Sequence, residues 1–465
     1  MKDLKKLKIA YIGGGSRGWA RTLMNDLAND AQIGGTVNLY DIDYQAAKGN
    51  ETIGNRLSAR KDVAGKWKYV AKEKLDDALK GSDFVVLSIL PGTFDEMASD
   101  VHTPEKYGIW QSVGDTVGPG GVMRALRLLP MYVEFANAIK RCCPQAWVIN
   151  FTNPMTMCVR TLYKVFPKIK AFGCCHEVFG TQGMLAEMVE KKLGVKADRE
   201  EIKLNVLGIN HFTWVDRANY RGVDLFPVLK EYIKEHPDGI DLPDLNWANK
   251  AFLCRHKVKF ELFERYGILA AAGDRHLAEF CPGSWYLKNP ETVEKYGFSL
   301  TTVDWRKEDL ALRLKKTKEL IDGKEFELVT SGEESVRQIK ALLGIGEFVT
   351  NVNLPNVGQM PGLPLGAVVE TNAYFSGDSV QPLFAGSLPE PVHALVERVV
   401  LEQETVVGAA LESDYEKAFT AFINDANVGL PIDTARKLYD EMLENTKAYL
   451  PAYENYILSR KGKLA

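Results

Sequence analysis

The sequence predicts an α/β fold: a doubly wound parallel sheet first, then an α+β domain. Three observations carry this. Short apolar runs alternate with helix-patterned stretches as far as Gly173. A glycine-rich turn joins the first run to the first helix. After about residue 200, strand-like segments follow one another without long helices between them.

The first run is LKIAYI (Leu7–Ile12), followed by the turn Gly13–Gly18 and a helical spacing of Trp19, Leu23 and Leu27. VNLYDID (Val37–Asp43) reads as a second buried strand. DFVVLSIL (Asp83–Leu90) reads as a third, behind the acidic helix KEKLDDALKG. A helix over Met123–Arg141 leads to the strand Ala146–Asn150, and one over about Met155–Val165 leads to a strand ending at Gly173. Strands this short and apolar are expected where helices cover both faces. Beyond residue 200, LNVLGINHFTWVDRANYRGVDLF reads as consecutive strands, and Gly/Pro loops such as Asn356–Ala367 follow. A long helix is expected from Glu390 to about Asn424, and another from Ile432. The expected division is residues 1–200 and 201–465.

Composition narrows the class. The chain has 465 residues, enough for two or three domains, with 46% hydrophobic and 26% charged residues, a folded rather than disordered balance. A formal net charge of −3 removes the electrostatic case for nucleic acid or an anionic membrane. The lysine-rich start passes directly into a strand, unlike a signal peptide, and no apolar run is long enough to span a bilayer. The cysteines number seven, with adjacent pairs at Cys142-Cys143 and Cys174-Cys175. That is no disulfide framework, and a reducing, cytoplasmic compartment is expected.

Gly13-Gly14-Gly15-Ser16-Arg17-Gly18 fits G-x-G-x-x-G between a strand and a helix, the context of a Rossmann-type dinucleotide site. Gly13 serves the tight turn, Gly15 the approach of backbone to pyrophosphate, and Gly18 close helix–strand packing, while N–H groups at the helix start, Ser16 among them, face the phosphates. Asp41 ends the next strand, where a carboxylate holds ribose hydroxyls and repels a 2′-phosphate. The expected cofactor is therefore NAD rather than NADP.

Four further segments occur in order: VGDTVGPGGVMRALRLLP (Val113–Pro130), INFTNPM (Ile149–Met155), GCCHEVFG (Gly173–Gly180) and GINHF (Gly208–Phe212). Together with the late NVGQMPGLPLGAVVETN segment they resemble glycoside hydrolase family four over nearly the whole chain. These NAD- and divalent-metal-dependent glycosidases are related in fold to lactate and malate dehydrogenases and stand outside the two-carboxylate rule of most glycosidases. The string Cys175–Val178 is similar to that of the branch acting on α-galacturonides. The α-galactosidases carry Ser in place of its Glu, and the phospho-glycosidase branches carry Asp or Asn where this chain has His176.

The resemblance implies Cys175 and His211 as metal ligands, manganese(II) as the metal, and dimers or tetramers as the assembly. It assigns the second region to substrate, metal and oligomerisation. Thiolate and imidazole by themselves would favour zinc. Two protein ligands leave positions for water or sugar hydroxyls. Taken alone, Cys175 reads as a buried thiol and His211 as a core histidine. Cys174 is the competing ligand, and strand alternation sends the two thiols to opposite faces.

The mechanism implied is oxidation at sugar carbon three, elimination, water addition and re-reduction, with NAD recycled. A base is needed at carbon two. Asp274 in ILAAAGDRHLAEF is its candidate, against the common capping role of a Gly-Asp pair. His176 either protonates the leaving group or orients the metal site. Asn153 is expected on sugar hydroxyls, or as a turn cap before Pro154. A uronate carboxylate calls for a cation, for which Arg275, His276 and Arg124 are candidates, with Arg255 behind them. The competing readings are another specificity within the family (α-glucosidase, α-glucuronidase or α-galactosidase) and a lactate/malate-type dehydrogenase that consumes NAD.

Overall fold

The computed structural model describes residues 3–240, 250–329 and 331–464, with side chains described as far as Arg460. Six parallel strands form one side of a nine-stranded sheet: β1 (Leu7–Ile12), β2 (Gly34–Tyr40), β3 (Lys66–Lys72), β4 (Phe84–Leu87), β5 (Trp147–Asn150) and β6 (Lys170–Gly173). Their order is β3-β2-β1-β4-β5-β6. The order reverses between β1 and β4, which opens a crevice beyond the carboxyl ends of the strands. The doubly wound parallel sheet is present as expected. The sequence reading passed over β3, whose Trp67, Tyr69 and Ala71 are buried while Lys66 and Lys68 are exposed. It is the parallel strand at the sheet edge, where lysines alternate with apolar residues in place of a continuous apolar run.

A second, antiparallel sheet follows. Strand β7 (Ile202–Ile209) pairs with β8 (Phe212–Tyr220), and β9 (Val223–Asp224) and β10 (Leu269–Ala270) both pair with β8. The chain then returns. Strands β11 (Phe348–Pro355), β12 (Val368–Ser376) and β13 (Ser379–Pro382) extend the large sheet antiparallel from β6, with Asn353 opposite Gly173.

One face of the sheet packs on the buried helix Gly118–Cys142, which in turn packs on helices from the end of the chain, Glu390–Glu412, Tyr415–Asn424 and Ile432–Thr446. The single helix expected over Glu390–Asn424 is therefore two. Ser413 takes φ +54°, and the Asp414 side chain accepts from the N–H groups of Glu416 and Lys417 to start the second. The other face joins Leu23 and Leu27 of the first helix to Val352, Leu354 and Phe375 of β11 and β12. Residue 200 falls in the short 3-10 turn Arg199–Glu201 before β7, yet segments from both sides of it share the large sheet and both its core layers.

Candidate active site

The glycine turn lies where the crevice opens. Gly13 takes φ +92°, and a Cβ there would meet the Ser88 carbonyl oxygen at 1.9 Å. Only glycine fits. Gly13 and Gly14 donate to the Tyr40 carbonyl (2.9 and 2.8 Å), and Ser16 N–H closes the turn on the Gly13 carbonyl at 3.0 Å. Gly14 performs the close packing that the motif assigns to Gly18, for its Cβ would sit 2.7 Å from Leu39 Cβ. At Gly18, φ is −118° and the nearest group is the mobile Arg313 guanidinium, so the space there is forgiving. Gly15 donates to Asp41 Oδ2 (2.8 Å), and Asp43 N–H donates to Oδ1 (2.9 Å). Each carboxylate oxygen keeps a lone pair for a ribose hydroxyl. The turn between β1 and the first helix, with the Asp41 carboxylate at the end of β2 beside it, fits a dinucleotide.

Beyond the ends of β5, β6 and β7 lies a second group of polar side chains. Cys174 and Cys175 part as alternation requires. The Cys174 thiol donates to Gln338 Oε1 (3.1 Å) and packs on the core of one sheet face, while Cys175 packs against Met155, Val159 and Val368. The Asn210 side chain reaches the Cys175 sulfur. Burial first, then Glu370 and Glu177, push that thiol well above its ordinary pKa; a bound divalent cation would reverse the preference. Glu370 on β12 accepts from the amides of Asn210 (3.1 Å), Asn351 (2.7 Å) and Asn353 (3.0 Å).

His211 sits in the two-residue turn between β7 and β8 at φ +64°, a strained backbone for a residue with a Cβ. Its tautomer follows from its partner. The Thr116 hydroxyl donates its only proton to Asp115 Oδ1 (2.6 Å), so toward His211 Nδ1, 3.1 Å away, it can only accept. His211 therefore carries its proton on Nδ1 and offers a bare Nε2. Burial, followed by the neighbouring His276, lowers its pKa to about 3, which keeps that lone pair available. Asn153 turns its Nδ2 toward Asp115 Oδ2 (3.4 Å), and its buried Oδ1 has no partner among the described residues. Thiol, bare imidazole nitrogen and unpartnered amide oxygen make a donor set that fits a divalent transition metal.

Asp115 is a site residue that the sequence reading missed, although the Val113–Pro130 motif contains it. Burial would raise its carboxyl, but His211, Arg124 and His276 hold it down at about 2. With His211 neutral, Arg124 is the permanent cation among these. Arg124 Nε donates to the Asn153 carbonyl (2.9 Å) and so braces Asn153.

Glu177, quoted in sequence only as part of a specificity string, is the other omission. Burial would raise it, but His276 and His211 bring it to about 2, and its Oε2 accepts from Gly273 N–H at 2.7 Å. His276 Nε2 lies 3.5 Å from its Oε1. His276 is mostly buried and shares its helix with Asp274, yet the two face different places. Asp274 is fully buried and accepts from the N–H groups of Val258 (3.3 Å) and Lys259 (3.1 Å), capping the helix Lys257–Tyr266. The capping alternative is the geometry found there. Burial raises its carboxyl to about 6 despite the neighbouring Lys259 ammonium. Asp274, Cys254 and His256 also bring ligand atoms within 4.8 Å of one another, but Lys259 already supplies a cation beside them.

Arg275 is committed as well. Its guanidinium donates to the Ser112 carbonyl (2.7 Å), the Ser299 carbonyl (3.2 Å) and Thr301 Oγ1, and it lies over the Phe252 ring. His176 is half exposed, 5.8 Å from the Trp19 ring and 3.5 Å from Glu333 Oε1. Arg255 lies away from this group, against Gly239 and Gly297.

A dinucleotide-type α/β fold with a buried polar pocket at its carboxyl edge is the build of an enzyme, and sequence comparison gives the family. The description "Family 4 glycosyl hydrolase" matches residues 8–191, and "Family 4 glycosyl hydrolase C-terminal domain" matches residues 206–428; the chain belongs to glycosyl hydrolase family 4. It is 61% identical to an alpha-galacturonidase of Thermoanaerobacterium saccharolyticum, covering 96% of this chain and 97% of that protein. Among solved structures it is similar to lplD from Bacillus subtilis, with TM-score 0.90, 51% identity, and 95% of this chain and 100% of that one covered. It shares its fold with a 6-phospho-alpha-glucosidase from gut microorganisms solved with NAD and Mn2+, with TM-score 0.79, 21% identity, and 96% and 99% covered.

Proposed function

We propose that this family 4 glycosidase hydrolyses α-galacturonides, with NAD and a divalent metal, manganese(II), as recycled and resident cofactors. The observation that carries the reading is the pairing of His276 with Glu177 beside the bare Nε2 of His211, in a chain 61% identical to an alpha-galacturonidase. The glycine turn and Asp41 hold the dinucleotide, and Cys175, His211 and Asn153 Oδ1 hold the metal. When bound, NAD supplies a hydride acceptor and donor for sugar carbon three, and the metal a Lewis acid for the neighbouring sugar oxygens.

The protein's own part is proton handling. His276 is assigned the removal of the carbon-two proton, in place of Asp274. Glu177, ionised at all working pH values, stabilises the imidazolium so formed. Asp274, with both oxygens turned to a helix start, shapes the corner that places His276. His176, half exposed at the rim, is placed to protonate the departing oxygen. Exposed Val357, Leu365 and Phe384 on the loops around β12 support self-association into a dimer or tetramer. Among the described residues no helix is long and apolar enough to cross a membrane, and the odd set of free cysteines supports a cytoplasmic setting.

The test is cleavage of p-nitrophenyl α-galacturonide with NAD, manganese and a thiol reductant, with and without EDTA, and in deuterated water. Cleavage that needs both cofactors, with deuterium at carbon two, is expected. Cleavage that survives EDTA would sink the metal assignment. NADH accumulating one for one with turnover would mark a dehydrogenase instead.

A further inference from the structure

We propose that the cleft between the first helix (Trp19–Asn29) and the helix Val303–Asp322 is a second ligand site, which takes the phosphate group of a small organic molecule other than the dinucleotide.

The cleft encloses about 460 Å3, a volume suited to a small molecule. It begins at Arg17 and Gly18, where the glycine turn ends, and reaches Asn25, two turns further along the first helix. That helix runs back from the carboxyl edge of the sheet, so the cleft leads away from the crevice that suits the dinucleotide.

Arg21 lies one turn in and is only 7% exposed. Its Nε donates to Asn50 Oδ1 (3.2 Å) and its Nη2 to Thr317 Oγ1 (2.7 Å), both neutral acceptors. Among the described residues its Nη1 has no hydrogen-bond partner, and no carboxylate lies within 4.0 Å of the guanidinium. The charges that act on it are those of Arg17 and Arg313, both positive; burial first, then these two, lower its pKa to about 10. A buried cation without a counter-charge is costly, and an anion bound beside it relieves that cost.

The neighbouring cations are also open. Arg313 Nη1 lies 2.9 Å from the Cβ position of Gly18. Its Nε is held by Asp309 Oδ2 (2.6 Å), which leaves both Nη groups without a partner among the described residues. Arg17 has only a loose contact with Asp43 Oδ2 at 3.7 Å. Lys316 is exposed on the same helix as Arg313. Against these four cations the lining holds two acids: Asp309, already engaged, and the exposed Glu327. One carboxylate fills one guanidinium fork; three arginines and a lysine together match a doubly charged phosphate. Leu312 and Phe326 line another part of the cleft and offer an apolar surface to the organic portion. The walls are fastened. Arg21 ties the two helices through Thr317, Val329 N–H donates to Asn25 Oδ1 (2.9 Å), and the Ser331 hydroxyl donates to Asp26 Oδ2 (2.7 Å).

The test is calorimetry of inorganic phosphate, phenyl phosphate and benzyl alcohol on the full chain saturated with NAD, in EDTA so that the metal site captures no phosphate. Saturable binding of phenyl phosphate, tighter than that of inorganic phosphate, is expected, with none for benzyl alcohol. The exposed pair Arg313→Gln and Lys316→Gln together should weaken phenyl phosphate by at least about tenfold. Arg21→Met should weaken it further, with Tm followed because the bond to Thr317 is lost too. Lys315→Gln with Lys318→Gln makes the same change of charge outside the cleft and should stay within about twofold. Equal losses in that control pair, or uptake that never saturates, would overturn the proposal. Phosphate binding that NAD abolishes would assign these cations to the cofactor's own pyrophosphate and overturn it as well. A chain that takes up no NAD, yet binds phenyl phosphate with the same pattern of losses, would uphold this site and sink the NAD reading instead.

Discussion

The imidazoles of His211 and His276 lie with centroids 3.7 Å apart, tilted 42° to one another. Two positive charges do not coexist at that distance in a buried site. Burial is the leading cause of a lowered pKa in both; His276 lowers His211 further, while Glu177 and Asp115 oppose the shift in each. A base must be neutral before it acts, so the acid limb of the rate should lie below the ordinary imidazole range. His276→Asn should remove that limb and lower kcat by about 100- to 10,000-fold. Asp274→Asn should keep kcat within about tenfold while lowering Tm, since the cap on Lys257–Tyr266 loses part of its acceptor. pH–rate profiles of both variants decide the matter. A lost limb in Asp274→Asn alone would return the base to Asp274.

The thiols offer a second contrast. Cys175→Ser should weaken manganese binding by at least about 100-fold and abolish metal-dependent turnover. Cys174→Ser loses only a bond to Gln338 and should leave metal affinity within a few-fold. Equilibrium dialysis with manganese measures both, and equal losses would mean that the two thiols do not differ in role.

The glycine turn predicts an unequal response inside one motif. Gly13→Ala faces positive φ and a carbonyl at 1.9 Å, and should cost more than about 2 kcal/mol of stability along with NAD affinity. Gly18→Ala meets a flexible arginine at negative φ and should cost less than about 1 kcal/mol. Thermal unfolding and NAD titration of the two variants provide the check. Similar damage at both positions would contradict the contact geometry.

Glu279 predicts a pH effect on stability. Burial, with Asp115 adding to it, raises its carboxyl to about 8, against the N–H groups of Val113 and Gly114 that favour the anion. The folded state thus holds a proton that the unfolded chain releases near 4.5. Stability should fall as pH rises from about 4.5 to 8 and level off above. Glu279→Gln keeps the acceptor and removes the titration. Its stability advantage over the parent should grow between pH 5 and pH 9, to the order of 3 kcal/mol. A constant difference across that range would rule the titration out.

Much of this architecture was legible in sequence because local signals and tertiary demands agree. Apolar runs of four to seven residues read as covered strands, and Gly13 reads as a turn because no other residue fits there. Cys175 and Cys174 were separable because a strand alternates faces. The errors have physical causes. Strand β3 alternates lysines with apolar residues and so lacks the continuous apolar run of its neighbours. Ser413 breaks a helix at a position that carries no Gly or Pro. Asp274 and Arg275 were chosen for chemistry from their side chains, and each also bonds backbone groups distant in sequence. Asp115 and Glu177 went unnoticed because their value comes from partners nearly 100 positions away: His211 for the first and His276 for the second. No local pattern encodes those distances.

The antiparallel extension β11–β13 also has a consequence for biosynthesis. The free edge of β6 is covered only when Asn353 arrives opposite Gly173, roughly 180 residues later. At about 5–20 residues per second, a ribosome leaves that edge open for about 10 to 40 s. A parallel-sheet edge with unpaired N–H and C=O groups is a template for the wrong neighbour. The nascent nucleotide-binding half therefore depends on its own distal segment, or on a chaperone in the interval, to stay out of aggregates, and slower growth at low temperature should raise the soluble yield.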